Sequence, residues 1–193
     1  MNILVCGVGG QGVLLFSDLL ANLALSAGLD VKKSEVHGMS QRGGSVTTHI
    51  RYGPKIYSPL IEEGTADLVV AFEKLEAVRF VHFLAESGRL VFDPYRIEPL
   101  PVQLGLVEPI DDQRLDELIE SRTPNPVAVL AFETARRLGN PRVQNVVMLG
   151  AVSKFLEFPT ESYKAVIRTL VKAEFLEINL AAFAAGQSLL NRL

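Results

Sequence analysis

The chain has 193 residues and a mass of 21.1 kDa, within the roughly 100–200 residues of a single domain and long enough to bury about 70% of its unfolded surface. Apolar residues make up 48% and charged residues 21%, which excludes a disordered chain, and 19 Lys and Arg against 22 Asp and Glu (net charge −3) leave no basic excess for a general nucleic-acid binder. One cysteine, Cys6, excludes an intramolecular disulfide and any self-contained cysteine-ligated iron–sulfur or zinc site. No stretch approaches the ~20 apolar residues that span a bilayer, and the N-terminus lacks a basic, signal-like start, so the expectation is a cytoplasmic protein with no membrane and no nucleic-acid partner.

Ile3-Leu4-Val5-Cys6 is an apolar run without alternation, as in a strand buried on both faces of a parallel sheet. Gly7 to Gly12 form a turn, and Val13 to Ala27 read as a helix stopped by Gly28, with Leu15, Leu19 and Leu23 at helical spacing. Val31 to Val36 is the second predicted strand. Val46 to Tyr52 is β-branched and, with the Gly53-Pro54 turn, predicts a β-hairpin with Lys55 to Ser58. Asp67 to Phe72 predicts a buried strand, Leu75 to Glu86 a helix closed by Gly88, and Leu90 to Asp93 another strand. Pro94, Pro99, Pro101 and Pro109 leave room for at most one short edge strand at Val102 to Val107. Helices are then expected at Asp116–Ser121, Val127–Leu138, Val146–Leu156, Ser162–Ala173 and Ile178–Leu193. The sum is one α/β domain over residues 1–193, Rossmann-like and doubly wound, with a mainly parallel sheet, an inserted β-hairpin and a helical C-terminal half.

Cys6-Gly7-Val8-Gly9-Gly10-Gln11-Gly12 satisfies G-x-G-x-x-G between a strand and a helix, where glycines permit a tight turn and the helix N-terminus favours an anion. Glu35 lies 23 residues beyond Gly12, about where a ribose-binding acid is expected. Two readings stay open on these residues: a dinucleotide site, or glycines that only let helix and strand pack closely. Gln11 adds an amide able to donate and accept within the loop. A second polar loop, His37-Gly38-Met39-Ser40-Gln41-Arg42-Gly43-Gly44-Ser45, follows the second strand at the same sheet edge. Its Arg42 can hold a phosphate or carboxylate in bidentate fashion, or serve a subunit contact. The candidate binding residues are therefore Gly7, Gly9, Gly10, Gln11, Gly12, His37 and Arg42; no catalytic or metal-ligating residue emerges. His37, His49 and His82 have no ligand spacing with each other or with Cys6, and His49, His82 and Cys6 read as packing residues. G-x-S-x-G and P-loop signatures are absent.

The two loops together, Gly7–Gly12 and Glu35–Val46, resemble the gamma-type domain of the 2-oxoacid:ferredoxin oxidoreductases, most closely its indolepyruvate branch. The Gly-Gly-Gln-Gly core at residues 9–12, the His-Gly-x-x-Gln-Arg-Gly-Gly pattern at residues 37–44 and Asn125-Pro126 carry the likeness. The resemblance implies a subunit, inactive alone, of an oxidoreductase that acts on the oxo group of 2-oxoacids such as indolepyruvate or pyruvate. Such a complex decarboxylates oxidatively to an acyl-coenzyme A with thiamine diphosphate and passes electrons through iron–sulfur clusters to ferredoxin. It implies larger thiamine- and cluster-bearing subunits as partners, a homodimer as a candidate state of the isolated chain, and no cofactor held by this chain alone. A stand-alone NAD(P)-dependent enzyme and a non-catalytic ligand-binding protein are the alternatives.

Overall fold

The computed structural model describes residues 1–38, 43–123 and 125–190, with His37 described by its backbone alone. Six strands, among the described residues, form one sheet in the order β2-β3-β1-β4-β5-β6. β1 (Asn2–Val8), β4 (Ala66–Ala71), β5 (Leu84–Phe92) and β6 (Val127–Ala128) run parallel. β3 (Ser45–Gly53) is antiparallel to both β1 and β2 (Asp30–His37).

Strict alternation along the central strands divides their side chains between two cores. Ile3, Val5, Leu68, Val70, Phe72 and Val91 face one side. There they meet α1 (Val13–Ser26), α5 (Ala131–Arg137), α6 (Gln144–Val152), α7 (Thr160–Leu170) and α8 (Leu176–Leu189). Leu4, Cys6, Val69, Ala71, Leu90 and Phe92 face the other, against α2 (Lys74–Phe80) and α4 (Asp112–Glu120). A short helix, α3 (Leu100–Gln103), lies between β5 and α4. Burial on both faces is why these strands read as unbroken apolar runs. Lys74, nearly buried at the start of α2, pairs with Asp116 at 2.8 Å and Asp112 at 3.3 Å and so clasps α4 to α2.

The α/β architecture, mainly parallel sheet and helical C-terminal half are present, and the structure corrects several details. The antiparallel pair exists, but its arms are β2 and β3; Lys55–Ser58 forms no strand. The predicted helix from Leu75 stops at Phe80, and after one 3-10 turn the chain becomes β5. Gly88 lies inside that strand, where a Cβ would meet the Ala66 carbonyl oxygen at 2.6 Å. Val102–Val107 forms no strand; its first residues belong to α3. Val127-Ala128 is the edge strand β6 and not the start of a helix, with Val129 N–H continuing the contact to the Phe92 carbonyl at 2.8 Å.

The C-terminal helix is core. α6 and α8 touch backbone to backbone, because a Cβ on Gly186 would stand 1.9 Å from the Val147 carbonyl oxygen and one on Gly150 would stand 2.1 Å from that of Phe183. Neither contact can be relieved by turning a side chain. Gly186→Val is therefore expected to destabilise the fold by about 3 kcal/mol or more, read as a lower urea midpoint; an unchanged midpoint would contradict the packing.

Candidate functional site

The carboxyl edge of the parallel strands brings the glycine turn, the ends of β4 and β5 and the start of α6 together, the place where open α/β sheets form ligand crevices. Gly12, at φ 80°, is the cap residue of α1, and a Cβ there would stand 2.6 Å from Asn145 Nδ2 on α6. Asn145 Nδ2 also donates to the Gly12 carbonyl at 3.3 Å. Gly7 is hemmed in by Val13, Gln11 and Phe72. These two glycines thus serve close packing within the chain.

Gln11 faces inward. Its Oε1 accepts from Val8 N–H at 2.8 Å, and its Nε2 donates to the Phe72 carbonyl at 2.8 Å and approaches Gln144 Oε1 at 3.4 Å. Gln144, buried at the start of α6, donates to the same Phe72 carbonyl at 2.9 Å and to Asp93 Oδ2 at 3.0 Å. Asp93 also accepts from Tyr95 N–H at 2.9 Å and Phe132 N–H at 2.6 Å. The Tyr95 and Phe132 rings above it are stacked with centroids 3.7 Å apart. Burial pushes the Asp93 carboxyl above the usual range, opposed by these hydrogen bonds.

Gly9 N–H donates to the Gly44 carbonyl at 2.8 Å, which joins the glycine turn to the β2–β3 connection. Gly10, at φ 107°, has open space around it. The first turn of α1 carries no acidic residue and no side-chain cap, and beside it lies a cavity of about 320 Å³ lined by Gly9, Gly10, Gly12, Val13, Leu14, Val8 and Val46. A larger cavity of about 510 Å³ lies between Val8, Ser45, Glu73 and Glu76 on one side and Pro99, Leu100 and Pro101 on the other. Glu73 caps α2 by accepting Glu76 N–H at 2.9 Å and holds Ile97 N–H at 3.0 Å. Glu76 accepts from Ser45 Oγ and pairs with Arg79 at 2.8 Å. Burial raises both glutamate carboxyls, outweighing the lowering effect of Ser45 and Arg79 on Glu76.

The sequence candidates divide accordingly. Gly9, Gly10 and Gly12 line the small cavity, while Gly7, Gln11 and Gly12 also make close contacts inside the chain. His37 ends β2, its side chain outside the described residues, and Arg42 lies outside them as well. Glu35 is on β2, paired with Lys33 at 2.6 Å, and the whole of β3 stands between it and β1. That separation removes the ribose contact expected when the second strand neighbours the first. Cys6 is buried in β1 with its thiol directed at the Glu76 carbonyl, 3.6 Å away, and burial raises its pKa. His49 accepts Ile61 N–H through Nδ1 at 3.1 Å, burial lowering its pKa, and His82 packs on Phe83. Sequence reasoning passed over Asp93, Gln144 and Asn145; an acid ending a buried strand was the one visible signal.

The chain belongs to the pyruvate ferredoxin/flavodoxin oxidoreductase family, which matches residues 2–189. It is 38% identical over 188 residues to indolepyruvate oxidoreductase subunit IorB of Thermococcus kodakarensis, covering 96% of this chain and 93% of that one. It is 27% identical over 187 residues to ketoisovalerate oxidoreductase subunit VorA of Methanothermobacter marburgensis, covering 94% of this chain but 35% of that one. Among solved structures, the keto/oxoacid ferredoxin oxidoreductase gamma subunit of Geobacter sulfurreducens superposes with a TM-score of 0.72 at 22% identity, covering 100% of this chain and 99% of that one. No group of three His, Cys, Asp or Glu suited to a metal occurs among the described residues, and no helix among them is long and apolar enough to cross a membrane.

Two outcomes follow from the geometry. Gln11→Ala strips Val8 N–H and one Phe72 carbonyl contact of their partner and is expected to lower stability by about 1–3 kcal/mol. Gly12→Val, which strains a left-handed backbone and pushes Asn145 away, should cost at least as much by thermal melting; wild-type melting of both would refute the internal role. A second outcome concerns pH. A native Glu76 with a raised pKa holds its proton longer than the unfolded chain. Its contribution to stability is full below the unfolded value of about 4.3 and declines as pH rises through the higher native value. The stability difference between wild type and Glu76→Gln, from urea midpoints at successive pH values, should therefore shrink or turn negative with rising pH. A difference that grows would mean the Arg79 pair outweighs burial.

Proposed function

We propose that this chain is the non-cluster subunit of a thiamine-diphosphate-dependent 2-oxoacid:ferredoxin oxidoreductase, with indolepyruvate as the substrate class, converting the oxoacid to an acyl-coenzyme A. The observation that carries this reading is the 38% identity to an indolepyruvate oxidoreductase subunit across nearly the whole of both chains. The donor set points the same way. A lone buried thiol cannot ligate an iron–sulfur cluster, so the clusters, and with them the thiamine diphosphate, are assigned to larger subunits, with ferredoxin met through the assembled complex and the whole working in the cytoplasm.

Within that assembly the contribution of this chain is recognition and positioning. The uncapped N-terminus of α1, with Gly9 and Gly10 open to the small cavity, fits an anionic group such as a phosphate of coenzyme A. We assign Arg42, with His37 at the head of the same loop, to that anion or to a carboxylate of the partner across the boundary; Gly7, Gln11 and Gly12 hold the turn in shape. A stand-alone NAD(P) enzyme is disfavoured by the placement of Glu35 and the internal commitment of Gln11.

The test is co-expression with the larger subunit of the same organism. A brown, thiamine-containing heteromer should reduce ferredoxin with indolepyruvate and coenzyme A, and the chain alone should show no turnover and no cluster absorbance at about 400 nm. In that complex Arg42→Ala, which loses a charge-assisted contact of roughly 1.5–3 kcal/mol, should raise KM for coenzyme A or Kd between subunits about tenfold to over a hundredfold. A lone chain that turns over with NAD(P), or constants that stay within about twofold, would overturn the assignment to complex or loop respectively.

A further inference from the structure

Between α3 and α4 the chain presents apolar side chains to solvent in a run. Leu100, Leu104 and Leu106 are 64%, 63% and 74% exposed, and Val107 and Ile110 are exposed beside them. The segment holds itself in shape locally: Val102 and Gln103 N–H donate to the Pro99 carbonyl, Leu104 to Leu100 and Leu106 to Pro101, all at 2.9–3.0 Å. Pro99, Pro101 and Pro109 further restrict it. A stiff projection with its leucines outward is already close to a bound conformation, so little ordering cost remains on binding. It stands at the carboxyl edge of the sheet, where Pro99 and Leu100 form the outer wall of the 510 Å³ cavity.

We propose that this projection, centred on Leu104 and Leu106, is the surface on which the larger subunit of the complex docks, through an apolar seat rimmed by basic side chains. The inference rests on the reading under Proposed function and names the contact it leaves open. Charge selects the occupant. From Ile97 to Gln113 there is no Lys or Arg but four acids, Glu98, Glu108, Asp111 and Asp112. Glu98 and Asp112 are matched within the chain by Arg96. Glu108 and Asp111 remain on the rim of the patch, both exposed. A second copy docked on this patch would bring like rims together, whereas a cationic rim complements them. Covalent continuity supplies the second argument. The ketoisovalerate relative carries this module as about a third of a longer polypeptide, so a large neighbour accompanies the module in a single chain there.

The experiment measures binding of the full-length chain to the purified larger subunit of the same organism. Leu104→Asp with Leu106→Asp, both mostly exposed and checked for retained folding by thermal melting, should raise Kd about a hundredfold or more. Glu108→Lys should weaken binding about tenfold and flatten its salt dependence. Leu60→Asp, equally exposed but at the opposite end of the sheet in the β3–β4 connection, should leave Kd within about twofold. Wild-type binding that survives the double variant overturns the docking surface alone. A wild-type homodimer that the double variant dissolves assigns the patch to a second copy and overturns it too. Failure of the wild-type chain to bind the larger subunit removes the functional reading, and this surface with it.

Discussion

Where parallel strands end, their last carbonyls and amides lose the ladder, and beyond the Gln11 N–H that meets the Val8 carbonyl at 3.1 Å side chains must supply the partners. Two glutamine side chains do so in this protein. The Phe72 carbonyl, just past β4, accepts from both Gln11 and Gln144, and Gln144 passes the connection on to Asp93 at the end of β5. Asp93 in turn holds the amides of Tyr95 and Phe132. One chain of hydrogen bonds therefore crosses the sheet edge from β1 to α5. Its members are buried or half-buried, where an unmet polar group is costly and a met one is strong. The shape of both cavities depends on it, since the same residues set where the glycine turn and the loop after β5 lie.

This seam changes the meaning of the glycine motif. In a dinucleotide-binding domain the glycines make room for pyrophosphate; here Gly7 and Gly12 make room for Phe72 and Asn145, and the amide between them points inward. Gly9 and Gly10 keep an outward aspect, and Gly12 shares the wall of the small cavity with them. The insertion of β3 between β1 and β2 completes the departure, because it carries the second strand and its loop one position outward. The described end of the β2–β3 connection nevertheless stays at the same edge, where Gly44 accepts the Gly9 N–H.

The sequence was most legible where burial is two-sided. Ile3–Cys6 and Asp67–Phe72 are apolar without alternation and could hardly be anything but central strands. It was least legible where tertiary contact overrode a local signal. Gly88 looks like a helix stop, yet it is needed because β4 comes too close for a Cβ. Gly53-Pro54 looks like a hairpin turn, yet β3 pairs backward with β2, whose charged DVKKSEVH run shows no apolar face. β6 has two residues, too few for any period. The glycine motif was visible but its partners were not. Nothing local announces that Gln144, 133 residues away, will meet Gln11.

Both flanks of the sheet are poor templates for a further strand. β6 offers a rail of two residues. β2, at the other flank, is dressed with charge: Lys32 and Asp30 pair at 2.8 Å, and Lys33 bridges Asp18 and Glu35. A foreign strand would have to lay its own side chains against this charged row, a device natural sheets use against edge-to-edge growth. At high local concentration a long, uncharged sheet edge invites pairing between copies. With a rail of two residues at one flank and charge along the other, this sheet discourages growth strand by strand from either side.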